Sequence, residues 1–340
     1  MITRRGFPSS SPPAARVPTP ITTVLAAALV LAASSGACKP DIGKPPSLVA
    51  GPRVLAVRQT PPEVTPGEMA TFEALIASPD GTITAPIAWT LCKTPRPPTE
   101  SNSVSQACVT QADDDAPIVG AAPLVMPSDA CSLFGPDPPP VTPPIRPRDP
   151  DATGGFYVPV RAATQAADGS ELVAFAFERI RCNLPNAPGD ILRTYNMTYA
   201  PNLSPTVTDV VLDPDGEAPL SLVAGGAPAE VGPAASVASG AKVTLRVSWP
   251  VDAAETYVLY DPASRTLVSP REALRVSWFA SDGEFEHDRT GRTGDELVLS
   301  TDNIWTAPLD ASGTLVHFWI VLRDERGGVD YVAFDLMTGA

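Results

Sequence analysis

Short alternating or β-branched runs, broken by Pro, Gly, Asp and Asn, recur from Val54 to Leu336. No long segment carries apolar residues at helical spacing. A period of two places every second side chain on one face of a sheet, and short runs of this kind between turn residues mark all-β sandwiches. In the first half, Val54–Val57, Met69–Ala77 and Ile87–Cys92 read as strands, with turns at Pro66-Gly67 and Ser78-Pro79-Asp80-Gly81. Gly155–Val160 and Leu172–Ile180 follow after an interruption. In the latter, Val173, Phe175 and Phe177 share one face, and Leu172, Ala174, Ala176 and Glu178 the other. The aromatic face is the predicted core face. Arg193–Tyr199 is predicted as the last strand of this half.

In the second half, Thr208–Leu212, Gly240–Trp249, Leu274–Ala280 and Gly313–Asp324 read as strands. Val329–Leu336 closes the chain after the turn Glu325–Gly328. Leu220–Ser239, rich in Ala, Gly and Pro, reads as an ill-ordered connection. The Trp-bearing third strand, Ile87–Cys92, lies after a Pro-Gly turn and a strand ending at Pro-Asp-Gly. This order resembles bacterial Ig-like domains, and the resemblance implies that Trp89 is a core residue between sheets. The closing hairpin, a strand reaching Arg323-Asp324 and then Arg326-Gly327-Gly328, resembles the end of extracellular bacterial Ig-like and PKD-like modules. The predicted fold is all-β, with two Ig-like sandwiches at 53–203 and 204–340.

Lys93 to Gly155 interrupts the first sandwich and is crowded with proline at its end. A loop of this length in a compact domain is usually functional or disordered, so this insertion (about 93–155) is the candidate special surface. Cys92, Cys108, Cys131 and Cys182 lie in or beside it. Four cysteines allow three pairings; chain proximity favours Cys92–Cys108 and Cys131–Cys182.

The N-terminus decides where these cysteines reside. Arg4 and Arg5 precede an apolar run from Val24 to Ala33, then Ser34, Ser35, Gly36, Ala37 and Cys38. Positive charge, a short apolar core and small residues make up a secretory signal peptide, here 1–37. The run is shorter than the roughly 20 apolar residues that span a bilayer. Ser35-Gly36-Ala37-Cys38 resembles the lipobox of bacterial lipoproteins, which implies that Cys38 is lipidated and becomes the mature N-terminus. Cleavage at the same bond by ordinary signal peptidase is the alternative. Lipidation of Cys38 leaves an even set of cysteines for an oxidising compartment. Thr3-Arg4-Arg5-Gly6-Phe7 also resembles the start of a twin-arginine signal. Residues 38–52 are the predicted lipid-anchor cysteine and tether, whose Pro- and Gly-rich part could reach roughly 45 Å when extended. Lys39 after the lipid site implies, by the same resemblance, the outer membrane. The whole pattern resembles surface lipoproteins of myxobacteria, a resemblance that brings no activity with it.

Composition narrows the partners. Of 340 residues 41 are Pro, which opposes helices throughout. Removing Arg4, Arg5 and Arg16 with the leader leaves 21 basic against 38 acidic residues, a net of −17. Such a chain is repelled by nucleic acid and by anionic headgroups, so no nucleic-acid partner is expected. The expected partners are the membrane, through the lipid anchor, and an envelope protein or polysaccharide.

His287 and His317 have no second His at ligand spacing, as zinc would require. No Gly-x-Ser-x-Gly elbow, P-loop or dinucleotide fingerprint occurs. No cofactor is expected. Acid clusters offer calcium candidates, chiefly Asp282, Glu284, Glu286 and Asp288, besides Asp113-Asp114-Asp115 and the pair Asp213 and Asp215. None has the EF-hand spacing. Two functions follow as expectations. The first is a non-enzymatic, lipid-anchored envelope protein presenting Ig-like domains for binding or structural interaction. The alternative is an accessory carbohydrate-binding subunit or an exported hydrolase, which would need an exposed aromatic platform or paired carboxylates.

Overall fold

Among the described residues, nine strands build the first half. They are β1 (Arg53–Thr60), β2 (Glu63–Val64), β3 (Met69–Ser78), β4 (Gly81–Ile83), β5 (Ala88–Leu91), β6 (Ile118–Val119), β7 (Leu124–Val125), β8 (Gly155–Gln165) and β9 (Glu171–Arg181). The computed structural model describes residues 43–339 except 102, 111–116, 122, 167–168, 186, 215–217, 229–234 and 310–312. The signal peptide and Cys38 lie outside the described residues. One sheet runs β1-β3-β4, with β7 beside β3, and the other runs β2-β9-β8-β5-β6. Between them Phe72, Trp89, Phe156, Val158 and Ile180 form the core, and Phe72 packs 5.5 Å from Trp89. Trp89 is therefore the core residue that the resemblance implied.

The second half follows as β10 (Asp209–Pro214), β11 (Leu220–Ala224), β12 (Ala227–Pro228), β13 (Ser236–Ala238), β14 (Lys242–Ser248), β15 (Leu259–Asp261) and β16 (Thr266–Val268). It continues with β17 (Leu274–Ala280), β18 (Glu284–Phe285), β19 (Arg289–Arg292), β20 (Ser300–Thr306), β21 (Leu315–Arg323) and β22 (Val329–Gly339). Its sheets run β12-β11-β10-β14-β20-β18 and β13-β22-β21-β17-β19. The β14 pattern behaves as period two requires, with Val243, Leu245 and Val247 buried and the residues between them turned outward. The core is aromatic: Trp305 and Phe285 meet Phe318 edge-on, and Phe318 stacks on Phe334. The chain is an all-β protein of sandwiched sheets. Among the described residues no helix is long and apolar enough to cross a membrane.

Sheets keep to their own side of residue 203, yet Lys44–Ala340 forms one compact unit. The reason lies on β21, which is buried on both faces. Val316, Phe318, Ile320 and Leu322 point into the second sandwich. Trp319 and Val321 point the other way, onto Leu55, Ala56, Leu75 and Ala77 of the first half. Trp319 also donates its indole N–H to Thr82 Oγ1 at 2.8 Å.

Several expectations are corrected. The segment predicted as a strand at Arg193–Tyr199 is part of a helix, Gly189–Thr198. Ile191, Leu192, Tyr195 and Tyr199 lie at spacings of three and four, so they share one helical face, and Tyr195 is buried beneath it. On β9 the faces are reversed. Ala174, Ala176 and Ile180 meet the sandwich core, while Val173 is exposed and Phe175 and Phe177 cover Cys92, Val104 and Cys108 of the insertion. The aromatic face thus serves a satellite core that the insertion itself supplies.

The described part of the insertion is not a structureless loop. It holds two short helices, Gln106–Val109 and Ala130–Phe134, and lends β6 to β5 and β7 to β3. Leu220–Ser239 likewise supplies β11, β12 and β13.

The tether is shorter than expected, because its second part is folded. Leu48 bridges Ala280 in parallel, Val49 N–H donates to Ala280 O at 2.8 Å, and Ala280 N–H donates to Ser47 O at 3.0 Å. Val49 is wholly buried, and Arg53 donates to the carbonyls of Pro46 and Leu48. Apolar burial and a two-way ladder bond fix this stretch where its prolines alone suggested a spacer.

A candidate binding cleft beside a buried ionic junction

Disulfides shape the insertion first. Cys92 joins Cys108 with Cα atoms 5.2 Å apart, and Cys131 joins Cys182 with Cα atoms 5.4 Å apart. Both pairings are those favoured by chain proximity. Closing spans of 16 and 51 residues restricts the unfolded chain by about 3 and about 4 kcal/mol in the chain-entropy model. The first disulfide pins the 93–108 stretch over β9, and the second ties the Ala130–Phe134 helix to the end of that strand.

Between these pinned segments, β8, β9 and the turn after β21 lies a cleft of about 630 Å³. Phe134, Tyr157 and Phe177 give it aromatic surface. Arg96, Arg146 and Arg148 give it positive charge, and Asp149, Asp324 and Glu325 negative charge. Arg148 pairs with Asp137 at 2.8 Å. Arg146 is buried and donates to the carbonyls of Pro147 at 3.0 Å, Asp137 at 2.8 Å and Ser132 at 3.4 Å. It thereby pins the proline-rich strap that forms one wall. Burial pulls the Arg146 pKa down, against the opposing pull of Asp149 and Asp137.

Behind the cleft runs a buried ionic junction between the halves. Arg179 donates to Glu63 at 3.1 Å, to Tyr157 OH at 3.2 Å and to Thr153 Oγ1 at 2.7 Å. Glu63 also accepts from Tyr199 OH and from the Asn202 N–H. Asn202 then donates to Asp324, which accepts the N–H groups of Arg326 and Gly328. Arg326 closes the chain on Glu272 at 2.5 Å and Glu255 at 2.9 Å. Burial opposes charge on Arg179, but Tyr157 and Glu63 hold it protonated. Burial pushes the Glu272 pKa up to about 7, with Asp324 adding to the rise and Arg326 resisting it. Apart from the Asn202 Oδ1, which is buried without a partner among the described residues, these groups satisfy one another, and the junction acts as a polar lock on the 199–205 linker. One buried acid stands apart: Glu178 is fully buried, and neither carboxylate oxygen has a hydrogen-bond partner among the described residues.

The other predicted site residues do not converge. Phe285 enters the core from β18, so Glu284 and Glu286 on either side point to solvent. Asp282 accepts the Gly283 N–H at 2.7 Å, and Asp288 accepts the Ser47 N–H at 3.1 Å. Among the described residues no group of three or more acids, histidines or cysteines could hold a metal. Of the calcium candidates, Asp282 and Asp288 each accept a backbone N–H, and Glu284 and Glu286 are exposed. Asp113-Asp114-Asp115 and Asp215 lie outside the described residues, and Asp213 sits on β10. His287 is exposed, and His317 Nδ1 lies 2.7 Å from Asp335. Trp89, Trp249, Trp278, Trp305 and Trp319 are all buried, so none of them offers a platform for sugar.

Sequence reading missed Arg96, Arg146, Glu63, Arg179, Glu272 and Arg326. Their charges come from distant segments, and only Glu178, on the non-aromatic face of a predicted strand, carried a visible signal.

No family model matches the chain, and no curated protein matches it in sequence. Among solved structures, the chain is similar to the adhesin InvE of Yersinia pseudotuberculosis at 8% identity and a TM-score of 0.21, covering 84% of this chain and 62% of that one. It is similar to the C-terminal domain of the antigen I/II-family protein AspA of Streptococcus pyogenes at 10% identity and a TM-score of 0.22, covering 85% and 100%. A third likeness is latent PorU of Porphyromonas gingivalis, at 9% identity and a TM-score of 0.20, covering 86% and 34%.

Proposed function

We propose that this protein is a non-enzymatic, lipid-anchored component of the bacterial cell envelope that binds a partner through the cleft beneath its insertion. The observation that carries the reading is Cys38 at the end of a signal-peptide pattern, together with two disulfides that account for the other four cysteines. Disulfides persist in oxidising compartments, which supports export. A lipidated Cys38 needs no thiol partner, which supports the anchor. Lys39 favours the outer membrane. The partner is an envelope protein or polysaccharide, since a chain this acidic is repelled by nucleic acid. The all-β framework and the cleft support presentation of a binding surface.

The test is the intact mass of the mature protein from a membrane fraction, beside a Cys38→Ala variant. A mass beginning at Cys38 plus acyl groups, lost in the variant, is expected. An unlipidated mass in the soluble fraction sinks the anchor.

A further inference from the structure

The charges on the cleft wall are not balanced in kind. Its acids are engaged by donors: Asp149 accepts the Asp151 N–H at 2.9 Å, Glu325 accepts Tyr257 OH at 2.6 Å, and Asp324 accepts from Asn202, Arg326 and Gly328. Two of its arginines are held only by carbonyl oxygens. Arg96 donates to the Glu100 carbonyl, and Arg146 to those of Ser132, Asp137 and Pro147. The Arg146 Nε–H is buried with no partner among the described residues. A carbonyl satisfies an N–H but neutralises no charge; Asp149 and Asp137 favour the charged form of Arg146 from nearby, yet neither Arg146 nor the half-buried Arg96 has an ion-pair partner in direct contact among the described residues. Guanidinium groups in this state favour a carboxylate, which meets them with short charge-assisted bonds. Phe134, Tyr157 and Phe177, all half-buried, add apolar surface in the same cleft. Its volume of about 630 Å³ is that of a small-molecule site.

We propose that the cleft takes an organic carboxylate, with its anionic head on Arg146 and Arg96 and a flat apolar body on Phe134, Tyr157 and Phe177. This rests on the reading of the protein as a binding module and names the chemistry of its ligand.

The test is titration calorimetry of the full mature protein with 2-naphthoate, beside 2-naphthamide and inorganic phosphate. Saturable one-to-one binding of naphthoate is expected, at least tenfold tighter than naphthamide and with no binding of phosphate alone. Arg146 also pins its wall, so Arg96→Gln is the decisive variant. It should keep the wild-type melting temperature and weaken naphthoate at least tenfold. Equal binding of naphthamide overturns the anionic head. Binding that Arg96→Gln leaves unchanged places the probe elsewhere and overturns the site. No binding of naphthoate overturns the proposal outright. The acyl mass of the same sample reports separately on the anchor, so either reading can fail alone.

Discussion

Replacing Glu178 by glutamine should make the protein more stable, and increasingly so as the pH rises. Glu178 sits on β9 at the sandwich core, fully buried and without hydrogen-bond partners on either oxygen. Burial, with the charge of Glu63 adding to it, pushes its pKa up to about 9 from an ordinary value of 4.5. The sign follows from proton binding. Below the ordinary value both folded and unfolded chains hold the proton, and ionisation of the group costs nothing. Above it the unfolded chain releases the proton while the folded chain keeps it. Stability is then lost by about 1.4 kcal/mol per pH unit until the folded pKa is reached. Between pH 5 and pH 7.5 this loss is about 3 kcal/mol. Glutamine keeps the shape and the polarity but cannot ionise, so the loss disappears. Urea unfolding of wild type and Glu178→Gln at both pH values measures it, with disulfides intact. Other titrating groups, Glu272 among them, contribute to both proteins and cancel in the difference. The stability gap should widen by about 3 kcal/mol from the lower to the higher pH. A gap that stays constant refutes the reasoning, because Glu178 would then titrate alike in both states.

Trp319→Ala should cost about 3–5 kcal/mol, since it empties the apolar contact between the halves. Differential scanning calorimetry checks this, and an unchanged melting temperature would show that the contact contributes little. Gly155→Ala should also destabilise strongly, because a Cβ there meets the Arg179 guanidinium. Displacing Arg179 from Glu63 leaves a buried charge unpaired, at about 3–5 kcal/mol. Thermal unfolding of the variant measures it, and a wild-type curve would mean that Arg179 has room to move.

The candidate site was only partly legible. The insertion stood out because its prolines and cysteines break the strand rhythm, and proximity along the chain favoured the pairs Cys92–Cys108 and Cys131–Cys182. The cleft's arginines did not stand out. Arg96 and Arg146 are fifty residues apart in a proline-rich stretch, and they line one cleft only once that stretch folds against β8 and β9. The acidic run from Asp282 to Asp288 looked like a site, but Phe285 turns its neighbours outward. Strand β20 escaped notice because its inward residues include Thr301 and Asn303. Asn303 is kept inside by exchanging hydrogen bonds with the His287 backbone.

By itself the sequence determined the β-rich character, the inward face of β14, the core position of Trp89 and the breaks at Pro and Gly. These are local properties: side-chain alternation and backbone restriction act within a few residues. Tertiary structure decided which faces were covered and by what. Phe175 and Phe177 turn to the insertion because Cys92–Cys108 brings an apolar cover there. Trp319 is buried on the outer face of its sheet because β1 and β3 lie against it. Residues 47–49 join a strand edge because Ala280 has a free N–H and C=O to offer them. Alternation marks two faces of a strand, but only the partner that arrives from elsewhere in the chain makes a face a core, a lock or a cleft.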